Sequence, residues 1–162
     1  MKAIDSAAHL ALAISLVAML AACSTTYGKM GFDGGVAAAP VTSDTFRISA
    51  RGNGFTDATT VQDYVLLKAA ETAIGAGQTH FTIVNNRDAT STSYGQTSGS
   101  FSNWGGGFVT YNPGMTYDIV KPGEDLMVRV WTPKKGEVLP PNTFNAQEVY
   151  ANINPRVKRS KE

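Results

Sequence analysis

Hydrophobic and polar residues alternate along several short stretches of this chain. In TFRISARGN, Phe46, Ile48 and Ala50 alternate with polar residues, which predicts a half-buried strand. HFTIV, residues 80–84, predicts a second and largely buried strand. TYDIV and DLMVRVW are joined by Lys-Pro-Gly-Glu at 121–124, which predicts a hairpin closed by a type II turn.

The stretch between the first two strands has the period of a helix. Thr59 and Gln62 fit a capping box with Thr59 as the N-cap, and Gly75 and Gly77 are stop residues at the other end. Leu, Ile and Ala side chains share one broad face, which we expect to pack on a sheet, while Tyr64 is expected on the opposite face. The apolar face consists of Leu66, Leu67, Ala69, Ala70, Ala73 and Ile74.

A second, short helix is predicted near the C-terminus, where Asn145 is suited to cap it and Pro155 to end it. Together these elements predict an α+β domain over residues 44–155. It has a small, mostly antiparallel sheet of three to five strands, the main helix on one face and the short C-terminal helix. The strand–helix–strand order at 46–84 fits a right-handed crossover, and insertion of another strand between the two is the alternative.

The N-terminal 22 residues follow a different pattern, because an almost wholly apolar run at 7–22 follows Met1 and Lys2. A positive start, an apolar run and small residues at its end are typical of a secretory signal peptide. The run is shorter than the roughly 20 apolar residues of a membrane-spanning helix. Leu-Ala-Ala-Cys at 20–23 resembles the lipobox of bacterial lipoproteins. The resemblance implies cleavage before Cys23 and acylation of that residue.

Lipidation would divide the chain into an anchor, a linker and a domain. Ser24 follows the cysteine, as in the outer-membrane class of enteric lipoproteins. We therefore expect the protein to be located at the periplasmic face of the outer membrane, with retention at the inner membrane as the alternative. Residues 23–43 are rich in Gly, Ala, Ser and Thr and predict a flexible tether with a span of roughly 25 Å. The basic residues 156–162 predict a solvated tail, with contact to anionic headgroups as the alternative.

Composition and charge narrow the range of possible functions. The chain has 14 Lys and Arg against 13 Asp and Glu, a formal net charge of +1, so it lacks the basic excess of a nucleic-acid-binding protein. Cys23 is the only cysteine and His80 the only histidine after the predicted signal peptide, which leaves no zinc-ligand spacing. No P-loop, dinucleotide-binding or nucleophile-elbow motif occurs. We therefore expect no metal, no cofactor and no enzymatic activity, with a hydrolase around His80 as the alternative.

Aromatic residues stand out between residues 85 and 114, where Gly, Ser, Thr and Asn separate them. This composition combines a large contact area with an adaptable backbone, as in binding loops. We expect a partner surface for an envelope protein or for the sugar rings of peptidoglycan. The alternative is that the rings cover an open face or edge of the sheet. The residues are Tyr94, Phe101, Trp104, Phe108 and Tyr111.

Three stretches resemble a family of small uncharacterised lipoproteins of alphaproteobacteria and related bacteria: FRISARGNG, VQDYVLLKAAETAIGAGQTHFTIV and NAQEVYANINPRV. Members have a helix reading roughly Leu-Leu-Arg-Ala-Ala-Glu, and residues 66–71 here read Leu-Leu-Lys-Ala-Ala-Glu. The resemblance implies location and fold and carries no mechanism. The sequence thus predicts a lipid-anchored, non-enzymatic structural or assembly module of the envelope. Glycan or peptidoglycan binding by residues 94–111 is the alternative.

Overall fold

A computed structural model describes residues 23–103 and 109–160. Within these ranges the elements are β1 (Gly35–Pro40), β2 (Thr45–Arg51), α1 (Ala58–Gly75), β3 (His80–Asp88), β4 (Ser91–Gln96), β5 (Ser100–Asn103), β6 (Val109–Asn112), β7 (Thr116–Lys121), β8 (Gly123–Trp131), β9 (Thr143–Asn145), α2 (Ala146–Ile153) and a 3-10 turn at Asn154–Arg156. The main sheet is antiparallel, in the order β1-β2-β8-β3-β9, and β4-β7 and β5-β6 form two further ladders. The predicted α+β class is confirmed.

The core lies between α1 and the main sheet. Fully buried side chains of the sheet, such as Ile48, Phe81 and Val128, face small and branched side chains of α1. The buried residues of the helix are Val61, Tyr64, Val65, Leu67, Ala69, Ala70 and Ala73. Strand β8 lies between β2 and β3 and is antiparallel to both. The alternative in which another strand is inserted between the two is therefore the one observed.

Two details of α1 differ from the prediction. Its N-cap is Asp57, whose carboxylate accepts a 2.7 Å hydrogen bond from the Thr60 amide, so the predicted cap at Thr59 is wrong. Tyr64 is buried rather than on the outer face, because its hydroxyl donates to the Thr25 carbonyl oxygen at 2.7 Å. The residue that anchors Tyr64 comes from a segment predicted to be a tether, so helical periodicity alone could not place it.

Residues 25–40 belong to the folded domain, and the prediction of a flexible tether is wrong for them. Strand β1 forms the edge of the main sheet beside β2. Thr25 is buried, its amide donates to Thr56 Oγ1 and its hydroxyl accepts from the Asn53 amide, both at 2.9 Å. A Gly/Ala-rich strand without a hydrophobic period has the composition of a linker, and only pairing with β2 distinguishes the two. The ordered domain therefore begins well before residue 44.

The basic C-terminal residues also pack on the domain, so the predicted solvated tail is wrong for 156–160. The Tyr27 amide donates to the Lys158 carbonyl at 2.7 Å, which joins the two ends of the described chain. Arg156 makes a bidentate pair with Asp63, with distances of 2.6 and 2.7 Å. Asp63 lies on α1, far from Arg156 in the sequence, so a local count of basic residues could not reveal this partner.

Glu71 on α1 is the centre of this contact. Its carboxylate accepts from the Tyr27 hydroxyl at 2.7 Å, from Arg159 at 2.8 Å and from Lys68 at 3.4 Å. Partial burial alone would raise the pKa of Glu71, but the hydrogen bonds from Tyr27 and Arg159 outweigh it and hold the pKa below its ordinary value. Burial and the bond to Glu71 raise the pKa of the Tyr27 hydroxyl. The Arg159 guanidinium also lies 4.9 Å from the centre of the Tyr27 ring.

The predicted hairpin between TYDIV and DLMVRVW is wrong. Strand β7 pairs with β4, and β8 pairs with β2 and β3. A type II turn needs a positive φ at its glycine, and Gly123 is not among the described residues with positive φ. Instead the chain passes from β7 into β8 at Pro122, whose carbonyl accepts from the Gly52 amide at 2.8 Å. A pattern of two strands around Pro-Gly does not say which strands pair.

The remaining elements match the pattern closely, with one exception. Leu126, Val128 and Val130 of β8 face the core as expected, and Asn145 caps α2 by accepting from the Glu148 amide at 3.1 Å. Strand β3 is longer than predicted and less buried. The pairing with β8 shifts register after Ile83, and Val84 is 63% exposed.

Candidate functional site

Strands β3 to β8 form one long β-hairpin, whose outer part continues beyond the main sheet. From Asn85 outward the paired residues of the two strands follow one register: Asn85 faces Met127, Ser91 faces Lys121, and Ser100 faces Asn112. We call residues 91–103 and 109–121 the hairpin arm. At about 3.3 Å per residue, an arm of this length reaches at most about 40 Å from its base. The described part of this segment is thus a two-stranded ribbon made of two ladders.

The two faces of the arm differ in chemistry. Within each ladder, odd-numbered residues of both strands share one face and even-numbered residues the other. Between the two ladders the strand pairing is interrupted at residues 97–99 and 113–115. There the Thr97 amide donates to the Met115 carbonyl at 2.9 Å, and the Met115 amide donates to the Thr97 hydroxyl at 2.7 Å. We call the odd-numbered sides of the two ladders, with the exposed Met115 between them, the apolar face; the large side chains of the ladders on this face are Phe101, Tyr111, Tyr117 and Ile119. The other side, the polar face, consists mainly of Ser, Thr, Asn and Gln, with Tyr94 and Val120 as its large side chains.

The glycines of the arm make room for rings on the opposite strand. A Cβ atom at Gly95 would collide with the ring of Tyr117, which lies directly across the ladder. A Cβ at Gly99 would lie 2.7 Å from the Tyr111 hydroxyl oxygen. Rings that lie over glycines protect the backbone there and fix the register. The glycine-aromatic composition therefore serves cross-strand packing in this part of the arm.

Of the three predicted surface residues within the described ranges, Phe101 and Tyr111 lie together and Tyr94 lies apart from them. The rings of Phe101 and Tyr111 face each other across the outer ladder, with centroids 4.9 Å apart and planes inclined by 39°. They are 73% and 56% exposed, so neither ring is part of the core. Tyr94 is 75% exposed on the polar face, opposite Asp118. Trp104 and Phe108 lie outside the described residues.

The base of the arm adjoins Cys23, the predicted lipidation site. A groove of about 990 Å³ runs between the segment 23–26, the loop 53–55 and residues 117–121 of β7. The Asn53 side-chain amide donates to the Cys23 carbonyl at 2.8 Å, and Cys23 is exposed. Gly54 on the same loop lies against the Ile119 side chain. The apolar face of the arm thus begins beside Cys23, while the predicted signal peptide, residues 1–22, lies outside the described ranges.

The second candidate from the sequence is His80, the base that the alternative of a hydrolase would use. It opens β3, where it faces Trp131 of β8 and Asn145 of β9, and its Nδ1 lies 2.8 Å from the Thr79 hydroxyl. In the parts of the chain that the structure describes, no group of three or more His, Cys, Asp or Glu side chains could hold a metal. No α-helix among residues 23–103 and 109–160 combines the length and hydropathy that crossing a bilayer requires.

Comparison with protein-family models, with curated proteins and with solved structures found no match to this chain. The resemblance to the alphaproteobacterial lipoproteins therefore stays a prediction. Sequence reasoning found the aromatic segment but missed the two-faced ribbon. A signal for it was present, because apolar side chains recur at every second position in Met115, Tyr117 and Ile119, continuing the alternation of Val109 and Tyr111.

Proposed function

We propose that this protein is a lipid-anchored component of the bacterial envelope, held through Cys23 at the periplasmic face of the outer membrane. Its function is contact rather than catalysis, and the hairpin arm is its binding element. The observation that carries this proposal is the arm itself: a regular ribbon with large side chains exposed on it, including Phe101 and Met115, each 73% exposed.

The energetics of such a ribbon favour a partner. An isolated two-stranded hairpin is at best marginally stable in water, so a long arm gains from being covered. Contiguous exposed apolar surface of more than a few hundred Å² usually marks an interaction site. Tyr, Phe and Met are also among the side chains that are enriched in interfaces. These arguments support a binding role without specifying the molecule bound.

Support for the anchor comes from sequence and position together. Residues 20–23 resemble a lipobox, and Cys23 is exposed at the surface of the domain. Two or three acyl chains, at about 0.8 kcal/mol per buried CH₂, hold a protein firmly on a membrane. Because residues 25–40 are packed into the domain, the anchor has almost no tether, and the domain sits close to the bilayer.

Peptidoglycan binding is the second candidate, and one observation favours it. The inclined, exposed rings of Phe101 and Tyr111 form an aromatic pair beside a face rich in hydroxyl groups. Sugar rings stack on such aromatic surfaces, and hydroxyl groups can hydrogen-bond their edges. Retention of the protein on purified sacculi, and its loss on Tyr111→Ala, is the result that this candidate predicts.

Photo-crosslinking in intact cells tests the main proposal. A photoreactive phenylalanine analogue replaces Tyr94, on the polar face of the arm, or Val138, an apolar residue outside the arm that is 89% exposed and serves as the matched control. We expect a discrete protein adduct from position 94 and none from position 138. An adduct with peptidoglycan at position 94 favours the second candidate. Equal crosslinking at both positions, or none at either, contradicts a binding role for the arm.

A further inference from the structure

The apolar face of the arm is continuous with the surface around Cys23. At the base, Tyr117 and Ile119 line the same groove as Cys23 and Phe55. Phe55 is itself 73% exposed, and Phe32, next to the groove residue Asp33, is fully exposed. Farther out, the apolar face continues through Met115 to the Phe101–Tyr111 pair. Large exposed apolar side chains thus extend from Cys23 along the length of the arm.

The arm carries very little charge. Asp118 and Lys121 are the only charged residues at positions 91–103 and 109–121. Asp118 lies on the polar face, opposite Tyr94. Lys121 lies at the base of the arm beside the groove, where its long side chain can keep the ammonium group at the level of phosphate headgroups. The outer part of the apolar face carries no charge that burial would penalise.

The position of the N-terminus identifies what covers this face. The apolar run at 7–22 ends immediately before Cys23, and the lipid on Cys23 would enter the bilayer at the same point. Any membrane that holds the protein there lies beside the loop 53–55 and the base of β7. Tyr prefers the boundary between headgroups and acyl chains because it combines an apolar ring with a polar hydroxyl, and Phe is common on the buried face of amphipathic elements at that boundary. A bilayer surface therefore fits both the place and the composition of the apolar face.

We propose that the hairpin arm lies along the membrane surface, with its apolar face in the headgroup–acyl boundary and its polar face toward the periplasm. The depth would be about 5–10 Å, as for other amphipathic elements at an interface. This inference rests on the proposed lipid anchor, and it assigns the apolar face to phospholipid while leaving the polar face, with Tyr94, to an envelope partner. The loop 53–55 fixes the arm relative to Cys23, since Gly54 contacts Ile119 and Asn53 holds the Cys23 carbonyl.

Fluorescence quenching on vesicles tests the orientation. The full, lipid-modified protein carries Met115→Cys, between the two ladders of the proposed membrane face, or the matched control Thr116→Cys, on the polar face of β7; both residues are exposed. The new thiol is labelled with an environment-sensitive dye, and the protein is reconstituted in phosphatidylethanolamine–phosphatidylglycerol vesicles that contain nitroxide-labelled acyl chains. We expect several-fold stronger quenching and a blue-shifted emission at position 115 compared with position 116. The pair Phe101→Cys and Ser102→Cys repeats the comparison in the outer ladder, so that one poorly folding variant does not decide the result.

The outcomes separate the arm from the anchor. Equal, water-like emission at both positions, while the protein still floats with the vesicles, overturns the inference and leaves the anchor intact. Shielding of position 115 only in native membranes, with a protein crosslink there, also overturns it and assigns the apolar face to a protein partner. The protein without any substitution, whose only thiol is that of Cys23, is the labelling control. If the dye reacts with it, Cys23 is not acylated and the proposed anchor itself is contradicted.

Discussion

Glu71→Ala tests whether α1 holds the segments around Tyr27 and Arg159 together. The substitution removes the acceptor of the Tyr27 hydroxyl, on a side chain that is only 4% exposed. A buried hydroxyl left without its partner costs about 1–3 kcal/mol. The pairs with Arg159 and Lys68 are partly exposed, and each adds only about 0.2–1 kcal/mol. We therefore expect the free energy of unfolding to fall by about 2–4 kcal/mol.

Urea unfolding followed by far-ultraviolet circular dichroism measures this loss. At a slope of about 2 kcal/mol per molar, the middle of the range for small domains, the urea midpoint should fall by roughly 1–2 M. Gln62→Ala, an exposed change on the same helix, is the control and should stay within about 0.5 kcal/mol of the unchanged protein. A double-mutant cycle of Glu71→Ala with Arg159→Ala should show coupling of at least about 0.5 kcal/mol. A change below about 0.5 kcal/mol for Glu71→Ala alone would refute the packed C-terminus.

Three further predictions concern α1. Ala70→Leu should lower the free energy of unfolding by about 1–3 kcal/mol, because Ala70 is fully buried between helix and sheet; an unchanged melting temperature would contradict this packing. Asp57→Ala should cost about 1 kcal/mol in chemical denaturation, more than Thr59→Ala, because Asp57 caps the helix; equal effects would contradict that assignment. The lowered pKa of Glu71 predicts a stability contribution that is present above about pH 4.5 and lost as the pH falls through its folded-state pKa, and acid titration of Glu71→Gln should lack that part of the loss.

The fold was predictable wherever one face of an element meets the core. The alternation in β2 and β8 and the Leu/Ala face of α1 carry that information locally. Pairing between distant segments was not predictable in the same way. The Pro-Gly pair at 122–123 has the sequence of a tight turn, yet the strands on either side pair with other strands. Turn propensity is weak beside the many hydrogen bonds of the long hairpin.

The candidate site was predictable in composition and not in geometry. Exposed rings among glycines indicated a binding segment, but glycine suggested mobility rather than space for the rings of Tyr111 and Tyr117. The predictions of a flexible tether and a solvated tail were wrong for a related reason. Residues 25–40 and 156–160 contain few large apolar side chains. Tyr27 and Val36 do join the core, but the strand pairing with β2 and the hydrogen bonds and ion pairs with α1 that hold these segments link residues far apart in the sequence.

Mass spectrometry of the intact protein from isolated membranes tests the central claim most directly. The account places the mature N-terminus at Cys23, bearing a diacylglyceryl group on its sulfur and an acyl group on its amine. It therefore predicts a mass equal to that of residues 23–162 plus these lipids, and loss of the lipid mass and of membrane association in Cys23→Ser. A protein that keeps residues 1–22, or that is cut elsewhere and carries no lipid, would contradict the account.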